Sequence, residues 1–379
     1  MPDVRPLMPF VERHVREHLT PPRSRDLPLH RAHAETLAQL SGLFTQARPE
    51  LPAGYMTQPR FRAAYLLYFL PTCAATVLHV VQSSGILPRL QPGPVRVLDL
   101  GAGPLTATLA LALALPPEAQ MEVTAVDASR QSMEDGAAIL RALRPDAKIR
   151  LIDGNLRDGA TLRKLKGPFD VILAAHVLNE WPRDTKRPAE TWLSALLAEQ
   201  LADPGAVVLV EPATRQASHH LIDVREHLLL ESELAILAPC TGRMPCPLSA
   251  TTRDWCHAEQ PWQRPDLVVA MDEAIGHRRT SLKYSHLVLH TQPPPQRAGD
   301  TFRVIGGPMV ANGRDGDPVL RRYVCGPDGR RVVVAPQDLA GRVWPGLPQA
   351  WRGDLLQLPG RALQLRRGRD EEPAWVPRG

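Results

Sequence analysis

The chain has 379 residues, 44% of them hydrophobic and 22% charged, with a formal net charge of +5. This length buries a full α/β core with room for further modules, and the balance excludes both a polar disordered chain and a membrane-dominated one. The basic charge is almost all arginine and is uneven: residues 300–379 hold 13 Arg against 9 acids, which permits an RNA partner without requiring one. Five cysteines are an odd number, and Met1–Thr20 has no apolar run for a secretory signal. Both features point to a reducing, cytoplasmic setting rather than a disulfide framework.

Residues 1–90 read as a helical N-terminal region. Arg31–Leu43 and Phe61–Gln82 carry apolar residues at three- and four-residue intervals, with Pro and Gly between them. Ala63–Val81 is the most apolar window, but Pro71, Thr72 and His79 interrupt it. Two buried helical segments are expected there, and no membrane span.

The chain is organised about Val95–Pro104. An apolar, β-branched run ends in Asp99-Leu100-Gly101-Ala102-Gly103, and Leu105–Leu115 follows with strong helix propensity. A strand, a glycine turn and a helix open a nucleotide-binding α/β unit, because glycine lets the backbone approach a ligand and a helix N-terminus offers unpaired N–H groups. Thr106 stands where a dinucleotide fingerprint needs its third glycine. The Asp-x-Gly-x-Gly form instead resembles motif I of the S-adenosylmethionine-dependent methyltransferases; a tight turn in some other α/β fold is the competing reading.

Further strands follow in regular alternation. Glu122–Val126 ends in Asp127, Ile149–Ile152 in Asp153 and Ala206–Val210 in Glu211, while Phe169–Ala174 leads to His176. Ser129 reads as the N-cap of a helix running to Leu143. Acids at the ends of successive parallel strands line the crevice where open α/β sheets bind ligands. Asp127 suits ribose hydroxyls and Asp153 an adenine edge. The candidate cofactor-binding residues are Asp99, Gly101, Gly103, Asp127, Asp153 and His176. No catalytic residue is assigned: His176, oriented by Glu180, could serve as a base, and a strand-end structural role competes with that. Tyr284–His290 is a late strand, expected to run antiparallel near the sheet edge.

Cys240, Cys246 and Cys256 follow a Cys-x5-Cys-x9-Cys spacing among Pro and Gly, and Cys325 sits in a turn between two strand-like runs. Thiolates on short rigid turns suit a soft metal, with an iron–sulfur cluster and zinc both open and unrelated buried cysteines as the bland reading. Cys73 belongs to an apolar helical stretch and is assigned to packing.

Gly101–Pro104, His176–Glu180, Glu211-Pro212, Pro239-Cys240, Pro245-Cys246-Pro247, Asp254–His257 and Tyr284–Leu289 together resemble the Rsm22 family, methyltransferase-like proteins associated with the small ribosomal subunit. The resemblance implies a Rossmann-like class I methyltransferase core with a helical N-terminal extension, a cysteine-rich metal-binding insertion and a small β-rich C-terminal module. It implies a [4Fe–4S] cluster on Cys240, Cys246, Cys256 and Cys325, with zinc as the alternative, and a role with small-subunit rRNA in assembly or translation. Leu105 replaces the family's third glycine and would crowd the methionine end of S-adenosylmethionine, so binding of that cofactor and enzymatic activity are left open. An active rRNA methyltransferase is the alternative function, and a cluster-gated redox or iron sensor a third. The expected organisation is a helical region 1–90, a core 91–299 with the insertion at 236–260, and a basic module 300–379 that supplies Cys325. In that module Arg321, Arg322, Arg330, Arg331, Arg366, Arg367 and Arg369 are offered to phosphates. A monomer with no membrane partner is expected.

Overall fold

The computed structural model describes residues 1–45, 50–52, 54–182, 188–251, 253–295, 301–312, 316–337, 340, 346–357, 364–367 and 373–376. The chain divides into two compact units, one of Met1–Pro182, Ala195–Val210 and Pro261–Leu282, the other of Arg183–Ser194, Glu211–Gln260 and Lys283–Gly379.

The first unit opens with helices α1 (Met8–His14), α2 (Leu29–Thr45) and α3 (Pro59–Ser83). The apolar window is therefore one continuous helix rather than two segments. A wide π turn at Tyr65–Phe69 stands just ahead of Pro71, which lacks the N–H for the usual bond and whose ring would crowd the carbonyl four residues back. By length and composition α3 is apolar enough to cross a membrane, yet 78% of its most apolar stretch is buried within the protein.

The sheet of this unit then follows: β1 (Val95–Leu100), α4 (Thr106–Ala114), β2 (Met121–Asp127), α5 (Arg130–Leu143), β3 (Lys148–Asp153), β4 (Phe169–Ala175) and β5 (Leu201–Pro212). The order is β3-β2-β1-β4-β5, all parallel. Residues 97–100 of β1 and 171–174 of β4 are buried throughout, as parallel strands covered on both faces must be. Register places Asp127 beside Asp153, and Leu100 beside both Val126 and Ala174. The carboxyl ends of four strands thus meet along one edge. Ser129 caps α5 as its sequence implies, its hydroxyl accepting from Ser132 N at 3.4 Å.

Two buried carboxylates fix the helices of this unit. Asp135 on α5 accepts from Arg62 Nε of α3 at 2.6 Å and meets His14 Nε2 of α1 at 2.9 Å. Asp272 accepts from Tyr68 Oη at 2.6 Å and Arg264 Nη1 at 3.0 Å. Removing one partner from such a buried pair costs about 3–5 kcal/mol, which makes these ties the fasteners of the helical region.

The second unit holds the helix Arg215–Glu231, then β6 (Ala235–Ala238), β7 (Ala258–Pro261) and β8 (Ser281–His290). β8 runs antiparallel to β6 and also pairs with β7. Between β6 and β7 the described residues form turns only, as Pro239, Gly242, Pro245 and Pro247 dictate. A second sheet follows from β9 (Thr301–Val304), β10 (Met309–Asn312), β11 (Pro318–Gly326), β12 (Gly329–Pro336), β13 (Leu355–Gln357), β14 (Gln364–Arg367) and β15 (Pro373–Val376). Its order is β13-β9-β11-β12-β14-β15, with β10 beside β11. Alternate residues Phe302, Val304, Leu320, Val324, Val333 and Ala335 form its core.

The arginines of this module are largely engaged within the protein. Arg322 is 1% exposed and donates to the carbonyls of Leu347 at 3.1 Å, Gly306 at 3.3 Å and Ala350. It is a core residue, not a phosphate contact, because β11 alternation turns it inward beside Leu320 and Val324. Arg330 pairs with Asp254 at 2.9 Å and lies over the Tyr323 ring, and Arg331 pairs with Asp328. Arg321 is exposed. Arg369 and the side chains of Arg366 and Arg367 lie outside the described residues.

Candidate functional site: a strand-end crevice and a four-cysteine group

In the first unit the glycine turn is held from three sides. Gly101 and Gly103 both have positive φ, at 61° and 50°, conformations closed to most side chains. A Cβ on Gly101 would stand 2.6 Å from Val177 Cγ2. Asp127 Oδ2 accepts from Gly103 N at 2.9 Å while its Oδ1 accepts from Ser129 N at 2.7 Å. One carboxylate therefore fastens the turn to the cap of α5. Burial raises its pKa, backbone N–H bonds from Ser129, Gly103 and Ala128 oppose that, and Asp153 raises it further.

Asp99 is turned inward. It is 1% exposed, and its Oδ2 accepts from Thr108 Oγ1 at 2.6 Å and Thr108 N at 3.2 Å. It locks β1 to α4, and burial pushes its carboxyl up to about 7. Asp153 is exposed at the end of β3. His176 follows β4, half-buried, with φ at 61°, and its N–H donates to Val210 O at 2.8 Å.

Leu105 shares that left-handed conformation, with φ at 56°, and its side chain is wholly buried. It forms the N-cap of α4. Leu105 and His176 are the non-glycine residues of positive φ among the described residues, and they stand after β1 and β4, adjacent strands of the sheet. Strain of this kind persists only where the surroundings over-determine it. The sequence shows the missing glycine at 105 but not that a leucine would adopt the glycine conformation. It also conceals Gly136, whose Cβ would overlap Pro104 O and stand 2.9 Å from Leu105 N. The signal for Gly136 is a glycine inside a helical pattern, which has a packing cause when it is kept.

In the second unit Cys240, Cys246, Cys256 and Cys325 are all unbridged and half-buried. Burial, then the neighbouring thiols Cys240, Cys246 and Cys325, holds the Cys256 thiol far above its ordinary range. Burial with Cys240 and Cys246 pushes Cys325 up to about 11. The four thiols thus lie within electrostatic reach of one another, although Cys256 and Cys325 are far apart in sequence. Cys240, Cys246 and Cys256 line one cavity with Arg225, His257 and Arg303. Among the described residues no three His, Cys, Asp or Glu side chains are grouped closely enough for a single metal ion.

The loop around these thiols is anchored by hydrogen bonds. Arg225 Nη2 donates to Met244 O at 2.9 Å and Gly242 O at 3.3 Å, and Cys246 N donates to Glu226 Oε1 at 3.0 Å. Ser285 Oγ donates to Cys256 O at 2.8 Å, and Trp255 Nε1 to Ala213 O at 2.9 Å. A Cβ on Gly242 would stand 2.8 Å from Pro327 O, so the first cysteine loop packs on the hairpin turn that follows Cys325. Burial disfavours the Arg225 charge, and the Cys240 thiol and Glu226 more than offset this. His257, next to Cys256, is engaged by Arg352 Nη1 at 2.9 Å to Nε2; burial and then Arg352 push its pKa down to about 4. Arg225, Glu226, Arg303 and Arg352 carry no sequence signal, because only the fold brings their elements to the cysteines.

A parallel β3-β2-β1-β4-β5 sheet with a glycine turn after β1 and acids at the strand ends defines a Rossmann-like α/β protein of the methyltransferase-like class. Residues 61–337 match the family model described as mitochondrial small ribosomal subunit Rsm22, and the chain belongs to that family. None of the curated proteins matches it significantly. Among solved structures it is similar to the precorrin-6y C5,15-methyltransferase of Geobacter metallireducens GS-15, at 14% identity over 57% of this chain and 87% of that one, with a TM-score of 0.34. It is also similar to Aeropyrum pernix fibrillarin in complex with natively bound S-adenosyl-L-methionine, at 16% identity over 55% and 73%, TM-score 0.31. The CurJ carbon methyltransferase aligns at 18% identity over 69% and 67%, TM-score 0.37. Strand order and register define the fold; these likenesses accompany it.

Proposed function

We propose that this chain is a methyltransferase-like RNA-binding factor of the small ribosomal subunit, acting in its assembly or in translation, and that its four-cysteine group holds a [4Fe–4S] cluster. The observation that carries the cluster reading is the gathering of Cys240, Cys246, Cys256 and Cys325 into one electrostatically linked group of free thiols. Such thiols ionise together only around a cation. A cluster binds each thiolate to a separate iron and needs them further apart than one zinc ion does. The donor set fits: three soft ligands on turns and a fourth, Cys325, on β11 rather than in the turn its sequence implied, with the buried Arg225 charge beside them to offset negative charge. When bound, the cluster would supply a rigid cross-link between the 240–256 loops and the β11–β12 hairpin. All four ligands come from one chain, so the reading needs no second copy.

The RNA reading rests on family membership and on the basic balance of residues 300–379. The family's description is mitochondrial, and we take the compartment to be that of the subunit served rather than the cytoplasm that composition alone pointed to. S-adenosylmethionine is the proposed ligand of the strand-end crevice, with Asp127 and Asp153 toward its ribose and adenine. Methyl transfer is a second reading, favoured by the left-handed conformation of His176, the candidate base at the end of β4.

Anaerobic purification tests the metal: iron and acid-labile sulfide in near-equal amounts, with broad absorption near about 400 nm, are expected. One zinc per chain without sulfide overturns the cluster. Crosslinking in cells followed by sequencing of bound RNA is expected to recover small-subunit rRNA, and its absence from the crosslinks overturns the RNA reading. Methyl incorporation from tritiated S-adenosylmethionine separates factor from enzyme.

A further inference from the structure

We infer that Arg225 and Thr241 are the hydrogen-bond donors that set the reduction potential of the metal group held by the four cysteines, an inference that rests on the cluster reading above. Arg225, on the helix Arg215–Glu231, is 4% exposed. Its Nη2 clasps the carbonyls of Gly242 and Met244, and its Nη1 pairs with Glu226. Its Nε–H, equally buried, has no acceptor among the described residues. Thr241 Oγ1, in the loop between Cys240 and Gly242, is a second buried polar atom without a partner there.

Buried donors of this kind are rare, because each gives up its water and receives nothing in return. Two of them meet at the cysteine loop, Thr241 within it and Arg225 clasping it from the helix Arg215–Glu231, and Arg225 lines the cavity that Cys240, Cys246 and Cys256 share. Arg303, the other guanidinium lining that cavity, is already bonded to the carbonyls of Pro239 and Gly353. The Arg225 charge is partly answered by Glu226, which also holds Cys246 N–H. A thiolate-ligated cluster supplies what both orphans lack: soft, negatively charged sulfur acceptors. Hydrogen bonds and positive charge at those sulfurs stabilise the more negative, reduced state more than the oxidised one, and so raise the potential.

The test uses the full chain, purified anaerobically, with midpoint potentials from a spectroelectrochemical titration, and iron and sulfide assayed in every sample. Arg225→Met keeps the length and burial but removes the charge and every donor. At fixed poise its ratio of reduced to oxidised cluster should fall about tenfold, ~59 mV for one electron. Arg225→Lys keeps the charge and should fall between wild type and Arg225→Met. Thr241→Val is isosteric, disturbs no other bond, and should lower the potential in the same direction by a smaller step. It keeps the inference testable where Arg225→Met fails to fold. Loaded Arg225→Lys and Thr241→Val proteins with the wild-type potential overturn the inference and leave the cluster reading standing. Wild-type protein without iron and sulfide overturns the cluster reading itself, before any variant is compared, and this inference with it.

Discussion

Gly136 of α5 lies against Pro104 of the glycine turn so closely that a methyl group added to it would overlap the Pro104 carbonyl oxygen. The helix that Asp127 helps to cap through Ser129 is thus also the floor on which the turn rests.

Gly136→Ala is expected to destabilise the protein by about 1–3 kcal/mol, the cost of overpacking against backbone that cannot yield. Gly42, inside α2, has nothing within 4 Å of its added Cβ, and Gly42→Ala should stabilise by about 0.4–1 kcal/mol. Urea midpoints of the two variants moving in the same direction would refute the close-approach reading of Gly136.

Leu105 sets two effects against each other. Its left-handed backbone costs about 1–2 kcal/mol, and its wholly buried side chain contributes about 2–5 kcal/mol relative to a truncated one. Burial wins, so Leu105→Gly should lose stability on balance, by about 1–3 kcal/mol, although glycine suits the conformation. A stabilised variant would show that strain dominates at this turn.

Asp99 makes stability depend on pH. Its carboxyl, pushed up to about 7 from 3.8, keeps a proton in the folded state that the unfolded chain has released. Its contribution is whole below 3.8 and is lost as pH rises toward about 7. Asp99→Asn keeps an oxygen acceptor for Thr108 and cannot ionise. Between about pH 5 and about pH 8 the wild type should lose more stability than Asp99→Asn. Parallel stability profiles would mean that Asp99 is ionised throughout.

Asp127→Ala removes the acceptor for Gly103 N and Ser129 N and any charged contact with a ribose. Affinity for S-adenosylmethionine should weaken by about 1.5–3 kcal/mol, the worth of a charged hydrogen bond, in calorimetry against the intact protein. An unchanged affinity would move the ribose to another group.

Arg322→Met leaves the carbonyls of Leu347, Gly306 and Ala350 without their donor, and should cost about 2–4 kcal/mol. Arg321→Met, on the exposed face, should stay within about 0.5 kcal/mol. RNA affinity should respond to Arg321→Met through a shallower salt dependence. Equal thermal stability of the two variants would contradict the inward orientation of Arg322.

The parallel sheet was legible because its signals are local and repeated: β-branched runs, a glycine turn, the Ser129 cap, and an acid closing one strand after another. All five parallel strands and β8 lie where those runs predict. The site was legible only at the level of residue type. Asp99 and Asp127 look alike in sequence, each closing a strand, yet one is sealed against Thr108 while the other pins Gly103. That difference comes from position along the sheet: register sets Asp99 beside Ala125, two residues short of Asp127, so Asp99 meets Thr108 of α4 while Asp127 stands at the strand end against the glycine turn, and no local pattern encodes it. Arg322 misleads in the same manner, since its neighbour Arg321 has the same charge and the opposite face. The continuity of α3 through Pro71 was hidden because the π turn that accommodates the proline is a backbone response, not a residue pattern.

The packing of Gly242 on Pro327 imposes an order on synthesis. A chain leaving the ribosome presents Cys240, Cys246 and Cys256 well before the β11–β12 turn exists, since about 70 residues, several seconds of elongation, separate Cys256 from Cys325. Throughout that interval the loop lacks its supporting surface and its thiols stand open to oxidants and to adventitious metals. The nascent protein therefore passes through a vulnerable stage that the finished one never revisits. A ribosome stalled before residue 325 would leave a product with an intact Rossmann sheet and an unguarded trio of cysteines.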